Sequence, residues 1–254
     1  MKNKVYLFCY MDGNQENLIY HFIKYYKSLN IPTSNWKIIL HQKSSCENSK
    51  SILNNEGINY EIIKDWNSDL KTSKVNEFIK TIDCGWLIYA DLDEFFDYEE
   101  NLYTLIDKCE NMNIEFIKGI FIEKFAENFE LKPITKESNI FSTFNTDPTE
   151  QLKKIINEHQ NITKIMLIKI TKIKKPQYYN THRIIDLEKY KQYDKLFKIN
   201  HFRWSYYAKQ CIRNKLTTYI NKNEKDKIEH YNMLYFLIKM VDNRYYIELD
   251  DKYL

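Results

Sequence analysis

Three acids that follow an apolar run give this chain its clearest chemical signal. Residues 84–96 read Cys-Gly-Trp-Leu-Ile-Tyr-Ala-Asp-Leu-Asp-Glu-Phe-Phe. Gly85 is a turn signal, and the apolar residues after it predict a buried central strand. The two-residue period of a strand would place Asp91 and Asp93 on one face and Leu92 on the other. Both carboxylates would then emerge at the carboxyl end of a strand, where open α/β sheets bind ligands.

The chemistry that these acids suit is the binding of a divalent cation. Closely spaced carboxylates are hard oxygen ligands, which suit Mg²⁺ or Mn²⁺ carrying a phosphorylated substrate. A short Asp-x-Asp also occurs by chance in solvated turns. Here Asp91, Asp93 and Glu94 are wedged between the apolar run and Phe95-Phe96. Because a buried, unpaired carboxylate is costly, this context favours a cation and a nucleotide-sugar site.

The elements around the acids alternate between strands and helices. We predict strands over 5–10, 36–40, 58–63 and 86–90, with helices over 15–29, up to 55 and over 70–82. This alternation predicts an α/β fold with a mostly parallel central sheet. Further along, we predict a helix over 102–112, strands over 114–122 and 164–170, an irregular segment over 125–161, and helical structure from 204 to the end.

Composition excludes several classes of protein. The chain carries 38 Lys and Arg against 35 Asp and Glu, and a net charge of +3 argues against a dedicated nucleic-acid binder. The five cysteines are scattered without a Cys-x-x-Cys pair, which predicts reduced thiols in the cytoplasm. We expect neither a signal peptide nor a transmembrane segment. The basic run 164–175 leaves peripheral membrane contact open, although such runs are usually solvated faces.

Several ordered motifs resemble glycosyltransferases with the GT-A fold, of the family-two kind and its family-ninety-two-like branch. The segment Trp86-Leu-Ile-Tyr-Ala-Asp-Leu-Asp-Glu-Phe95 resembles their Asp-x-Asp strand, and His201-Phe-Arg-Trp204 resembles a later His-Phe-Lys-Trp signature. Residues 14–31 are similar to their first helix. Gly119-Ile-Phe-Ile-Glu-Lys124 is similar to a Gly-x-x-x-Asp-Arg segment, and Lys164-Ile-Met-Leu and Thr181-His-Arg183 resemble further signatures.

The resemblance implies a Rossmann-like, nucleotide-sugar-binding GT-A fold with carboxyl-terminal helices. It implies a catalytic domain over 1–203, with a nucleotide-sugar-binding half over 1–97 and an acceptor half over 98–203, and a helical extension over 204–254. It further implies a nucleotide-diphosphate sugar donor, a hydroxyl acceptor, Mn²⁺ or Mg²⁺ held by the Asp-x-Asp, and inversion at the anomeric carbon.

The metal residues implied by the resemblance are Asp93, in direct contact, and Asp91, which contacts the donor ribose or reaches the metal through water. A late histidine often completes the metal shell in this fold, and His201 is the candidate; the alternative is a satisfied core histidine. His182 has the same two interpretations. Glu94 either reaches the acceptor or caps the following turn.

The remaining candidates concern the base and the donor. Glu123 is a candidate general base that deprotonates the acceptor hydroxyl, or else a solvated strand-end carboxylate. Asp12 and the pair Asp65-Trp66 follow predicted strands and would hold the base and ribose, with simple packing as the alternative for Trp66. Two other candidates, Arg183 and Arg203, would bind phosphate oxygens or remain surface charges.

Two other function classes compete with a glycosyltransferase. A module on the same fold could bind a nucleotide sugar or glycan without turnover, since a fold does not guarantee a function. Binding of nucleic acid through the lysine-rich carboxyl half is the weakest interpretation, because the total charge is nearly balanced.

Overall fold

The computed structural model describes residues 3–42, 46–64, 67–127, 130–147, 163–221 and 223. The chain divides into two compact units, the first formed by 1–122 with 161–201 and the second by 123–160 with 202–254. The first unit contains an eight-stranded sheet with the strand order β3-β2-β1-β4-β7-β6-β8-β5.

The first four strands form the parallel half of this sheet. They are β1 (Val5–Asp12), β2 (Trp36–His41), β3 (Tyr60–Ile63) and β4 (Gly85–Asp91), and β1 pairs in parallel with both β2 and β4. The helices between them are α1 (Glu16–Ser28), α2 (Glu47–Asn55) and α3 (Ser68–Thr81). The α/β class predicted from the sequence is therefore confirmed.

The other four strands are joined through antiparallel pairs. They are β5 (Glu94–Asp97), β6 (Phe116–Glu123), β7 (Thr163–Ile170) and β8 (Phe197–His201), and helix α4 (Leu102–Asn111) follows β5. Strand β7 pairs antiparallel with β4 and β6, and β5 pairs antiparallel with β8. Gly119 allows this close packing, because a Cβ there would lie 2.2 Å from the Met166 sulfur.

Both faces of the sheet are covered by apolar side chains. On one face, Val75 and Ile79 of α3 pack with Phe8, Tyr89 and other core residues. Elsewhere, the Phe22 ring of α1 meets the Phe95 ring of β5 edge to face, with 6.2 Å between their centroids. Burial on both faces explains why β1 and β4 are continuous apolar runs rather than alternating ones.

The expectation that Asp91 and Asp93 lie on one face of the same strand is wrong. Strand β4 ends at Asp91, and Leu92 and Asp93 form a turn before β5 begins at Glu94. The strand period therefore does not relate Asp91 to Asp93. Leu92 is nonetheless buried, with 5% of its surface exposed, as the prediction required.

Among its described residues, the second unit contains two helices, α5 (Ile140–Thr143) and α6 (Tyr206–Asn221). The rings of Phe141 and Phe144 both meet Phe202 edge to face. The apolar segment 231–241 and most of the predicted helical extension lie outside the described residues. No helix in the described part of the chain combines the length and apolarity needed to cross a bilayer.

Candidate active site

The turn at residues 91–94, called here the acidic turn, lies where the parallel strands end. Asp91 is aligned with Tyr10 of β1, which places it beside the carboxyl end of that strand. At the other end of the turn, Glu94 is directly opposite His201 in the β5–β8 ladder. The turn thus joins the carboxyl edge of the parallel half to the end of β8, and it brings Asp93 to His201.

Two lysines neutralise Asp91. Lys71 Nζ, from the first turns of α3, lies 2.5 Å from Asp91 Oδ1, and Lys164 Nζ, from β7, lies 3.6 Å from Oδ2. Burial raises the pKa of Asp91, but the charges of Lys164 and Lys71 outweigh it and hold the pKa below its usual range. Asp91 is therefore a carboxylate at neutral pH, with both oxygens near ammonium groups.

Glu94 is a buried carboxylate that closes the acidic turn. Its Oε2 accepts a hydrogen bond from the Asp91 backbone N–H at 2.8 Å and lies 2.5 Å from Lys164 Nζ. Glu94 is 2% exposed and Lys164 is 1% exposed. Burial alone would lower the pKa of Lys164, but the carboxylates of Asp91 and Glu94 outweigh it and raise that pKa. The Glu94 side chain therefore contacts the turn that precedes it, whereas the two roles expected from the sequence, contact with the acceptor and capping of the following turn, stay predictions.

Asp93 pairs with a histidine rather than with a lysine. Its Oδ2 lies 3.2 Å from His201 Nε2, and its side chain is 33% exposed, against 14% for His201. Burial raises the pKa of Asp93, but the charge and hydrogen bond of His201 outweigh it and lower the pKa to about 2. This pair is the part of the turn that offers a carboxylate oxygen and, when His201 is deprotonated, an imidazole nitrogen close together.

The charges of the turn leave a single unbalanced carboxylate. When all three carboxyl groups are ionised, Asp91, Asp93 and Glu94 contribute three negative charges, while Lys71 and Lys164 contribute two positive ones. One negative charge therefore remains when His201 is neutral, and it lies on the most exposed of the three acids. Burial raises the pKa of Glu94, and the charge of Lys164 opposes this shift. Mg²⁺ and Mn²⁺ are commonly held by one or two protein ligands together with substrate phosphates and water. The pair Asp93–His201 fits such a cation, although no cluster of three ligating side chains occurs among the described residues.

His182 adds a neutral imidazole beside the acidic turn. Burial, together with the positive charges of Lys164, Lys71 and His201, lowers the pKa of His182 to about 4, while the negative charge of Asp91 opposes this shift. Its Nδ1 is buried without a hydrogen-bond partner. The Phe121 ring lies 5.7 Å from His182 and 5.2 Å from His201, so both imidazoles flank one phenyl ring. A polar group of a ligand, or a water, would satisfy the hydrogen bonding of this nitrogen.

The predicted donor-binding residues are placed in different ways. Asp12 ends β1, and its Oδ1 accepts the Asn14 N–H at 3.1 Å, so it lies at the same strand edge as Asp91. Arg183 is exposed, and its backbone N–H donates to Asn180 Oδ1. Both Asp65 and Trp66 lie outside the described residues.

Two predicted site residues belong to the second unit. Glu123 Oε2 accepts a hydrogen bond from Trp204 Nε1 at 2.6 Å, and the Trp204 ring stacks on Phe125 with 4.9 Å between centroids. Arg203 lies over the Trp204 ring, with its guanidinium carbon 5.6 Å from the centroid. The Glu123 carboxylate is thus held in a fixed orientation by a buried indole.

Sequence reasoning missed the lysines of this site. Lys71 carries no motif, and only the fold reveals that the first turns of α3 start beside the end of β4. Lys164 belongs to a resembling motif and to a basic run, but neither predicts its contact with the acids. The signal that could have found it is its place in Thr-Lys-Ile-Met-Leu-Ile, where a lysine directly precedes four apolar residues of a strand.

Comparison with known proteins gives only distant structural similarity. No family model matches this chain, and no curated protein matches it. TarS residues 1–349 from S. aureus, solved in complex with UDP-GlcNAc, is similar at a TM-score of 0.33 and 13% identity, over 48% of this chain and 34% of that chain. A mannosyltransferase, PcManGT from Pyrobaculum calidifontis in complex with GDP-Man and Mn²⁺, is similar at a TM-score of 0.35 and 10% identity, over 47% and 36%.

A third similar structure is a putative glucose-1-phosphate thymidylyltransferase from Bacillus anthracis. Its TM-score is 0.32 at 13% identity, over 61% of this chain and 76% of that chain. The match to TarS and PcManGT spans about a third of the length of those chains. Such values assign no family to this chain.

Proposed function

We propose that this chain is a metal-dependent glycosyltransferase that moves a hexosyl or deoxyhexosyl group from a nucleotide-diphosphate sugar to an acceptor hydroxyl. The observation that carries the proposal is the Asp93–His201 pair, with 3.2 Å between Oδ2 and Nε2, at the carboxyl edge of a parallel sheet. Its neighbours Asp91 and Glu94 are already neutralised by lysines. Asp93 and His201 would therefore supply one carboxylate and one imidazole to a cation, with substrate phosphates as further ligands.

In this proposal Asp93 and His201 hold Mn²⁺ or Mg²⁺. When bound, the cation offsets the negative charge that develops on the leaving nucleoside diphosphate. Asp91 keeps its place between Lys71 and Lys164, so its contact with the donor ribose or with the metal would pass through water. Asp12, Asp65 and Trp66 hold the base and ribose, and Arg183 and Arg203 bind phosphate oxygens.

The acceptor is activated by a carboxylate in the same proposal. Glu123 takes the proton of the acceptor hydroxyl as its oxygen attacks the anomeric carbon, and the bond from that carbon to the diphosphate oxygen breaks. A single displacement of this kind inverts the anomeric carbon. The hydrogen bond from Trp204 Nε1 supports the role, because it orients the Glu123 carboxylate. The products would serve glycan or polysaccharide synthesis.

The test is release of nucleoside diphosphate from a panel of UDP-, GDP- and dTDP-sugars in the presence of Mn²⁺. Wild-type protein is expected to release diphosphate slowly even with water as acceptor, and Asp93→Asn is expected to abolish the release. Asp107→Asn is the matched control, since Asp107 is an exposed residue of α4. Tight binding of a nucleotide sugar with no release would instead favour a binding module on the same fold.

A further inference from the structure

Lys164 is the most deeply buried charge of the acidic turn, and the proposed chemistry does not use it. It is 1% exposed, and its ammonium contacts two carboxylates of the turn. We propose that Lys164 is a positioning residue: its pairing with Glu94 fixes the acidic turn and thereby presents Asp93 and His201 to a divalent cation. The inference rests on the proposed function for the identity of that cation.

The contacts of Glu94 explain how Lys164 reaches the turn. Lys164 Nζ lies 2.5 Å from Glu94 Oε2, and the same oxygen accepts the Asp91 N–H at 2.8 Å. The lysine therefore holds the carboxylate that closes the turn on itself. The main chain of Glu94 is fixed as well, because its carbonyl accepts the Tyr26 hydroxyl of α1 at 3.0 Å.

The position of Glu94 determines that of both candidate metal ligands. Asp93 precedes Glu94 in the chain, and His201 is the direct partner of Glu94 in the β5–β8 ladder. A displacement of Glu94 would therefore change the 3.2 Å separation between Asp93 Oδ2 and His201 Nε2. Residues that orient metal ligands without touching the metal commonly affect metal affinity by about 10- to 100-fold.

Two competing roles for Lys164 make different predictions. If Lys164 only compensates the buried Glu94 charge, removing both charges together should restore the protein, because replacing a buried ion pair is often neutral. If Lys164 acts only through its charge, its loss should tighten cation binding, since one positive charge leaves the site. A positioning role predicts weaker cation binding even when the net charge of the site is unchanged.

The experiment therefore uses the charge-balanced double variant Lys164→Met with Glu94→Gln. The glutamine keeps a side-chain carbonyl that can accept the Asp91 N–H, but the methionine has no ammonium group to hold that carbonyl in place. The matched control is Lys169→Met, which removes the lysine paired with Glu110 on the same strand. Lys169 lies five residues from Lys164, about 16 Å along β7, near the opposite edge of the sheet.

Two readouts are measured on the full chain. The first is hydrogen exchange of the Asp91 amide without metal, relative to the amides of β1, and the second is the Kd for Mn²⁺ alone. The double variant is expected to exchange its Asp91 amide at least tenfold faster and to raise the Kd for Mn²⁺ by at least tenfold. Wild-type values are expected for Lys169→Met.

Several outcomes would overturn the inference. Unchanged exchange at Asp91, or a Kd for Mn²⁺ within twofold of wild type, would show that Lys164 only balances charge. If the double variant does not fold, hydrogen exchange of the Asp91 amide in wild-type protein provides the test. Rapid exchange there would show that the Glu94 side chain does not hold the turn in place. Failure of wild-type protein to bind Mn²⁺ would overturn the proposed function, while the exchange data would still decide whether Lys164 fixes the turn.

Discussion

Asp93 differs from its two acidic neighbours in its partner. Asp91 and Glu94 are each paired with a buried or nearly buried lysine, whereas Asp93 is paired with an imidazole and is one third exposed. An ammonium cannot coordinate a metal, but a neutral imidazole can. The different roles proposed for the acids of Asp-Leu-Asp-Glu therefore follow from the side chain with which each acid is paired.

Replacing Asp93 and replacing Leu92 are expected to have opposite effects. Asp93→Asn should change the free energy of unfolding by less than about 1 kcal/mol, because partly exposed ion pairs contribute little, yet abolish Mn²⁺ binding. Leu92→Asn should cost about 3 kcal/mol, since Leu92 is 5% exposed and an amide there lacks a partner. The measurements are urea denaturation and Mn²⁺ titration. Unfolding by Asp93→Asn with a silent Leu92→Asn would show that the acids are structural.

His182 should make the stability of the protein depend on pH. Its pKa is about 4 in the folded protein, mainly because of burial, against 6.5 for an exposed histidine. Between these values the unfolded chain binds a proton that the folded protein does not, so stability falls as the pH is lowered. From pH 7.5 to 5 the loss attributable to His182 is at most about 2 kcal/mol.

The variant His182→Gln isolates this contribution. The free energy of unfolding of wild type, taken relative to that of His182→Gln, should fall by about that amount between pH 7.5 and pH 5. Urea denaturation at the two pH values measures it. A difference that does not change with pH would mean that His182 is readily protonated in the folded protein.

Glu123 should matter for turnover and not for donor binding. Glu123→Gln is expected to lower kcat for glycosyl transfer by roughly two to four orders of magnitude, with donor affinity and fold preserved, because Trp204 Nε1 can still donate to the Gln carbonyl. Trp204→Phe is the control, which keeps an aromatic ring against Phe125 but removes the donor. Its effect on kcat should be smaller. Near-normal turnover of Glu123→Gln would show that another carboxylate acts as the general base.

At the level of elements, the strands and helices of the parallel half could be predicted well from the sequence. The predicted strands and helices up to residue 91 correspond to β1 to β4 and α1 to α3, because long apolar runs and amphipathic stretches have clear periods. Strands β5 and β8 were not predicted. Each spans five residues or fewer, and a short strand carries too little periodicity to be recognised without its partner.

The acidic turn shows where periodicity stops being informative. The alternation of Asp91, Leu92 and Asp93 looks like a strand, but the strand ends at Asp91 and a turn follows. Its geometry depends on long-range contacts, namely Lys164 and Lys71 at the acids and the pairing of β5 with β8. Local sequence contains the acids but not these partners. The types of the site residues could therefore be predicted, whereas the contacts between them could not.

The start of β4 is expected to require glycine. Gly85 has φ +142°, and a Cβ there would lie 2.6 Å from the Lys4 carbonyl oxygen. Gly57 has φ +63°, and a Cβ added there would have no other atom within 4 Å. We expect Gly85→Ala to cost about 3 kcal/mol or more through clash and strain, and Gly57→Ala about 1 kcal/mol. Equal losses in urea denaturation would show that Lys4 moves freely away from the strand.

At the scale of the whole molecule, the candidate residues are divided between the two units. The acidic turn, its lysines, Asp12, His182 and His201 belong to the first unit, whereas Glu123, Arg203 and Trp204 belong to the second. Cation binding is thus expected to depend on residues of the first unit, while the candidate base and one of the two candidate phosphate-binding arginines belong to the second. The domain boundary at residue 203 suggested by the resemblance stays a prediction.

The measurement that tests the central claim most directly is the affinity for UDP, GDP and dTDP, determined by calorimetry with Mn²⁺ and with EDTA. At least one diphosphate is expected to bind wild-type protein at least tenfold more tightly with Mn²⁺, because Asp93 and His201 would hold the cation and its charge would offset that of the phosphates. Asp93→Asn is expected to lose this dependence on Mn²⁺. Equal affinity with and without EDTA, or an Mn²⁺ dependence that survives in Asp93→Asn, would contradict the account.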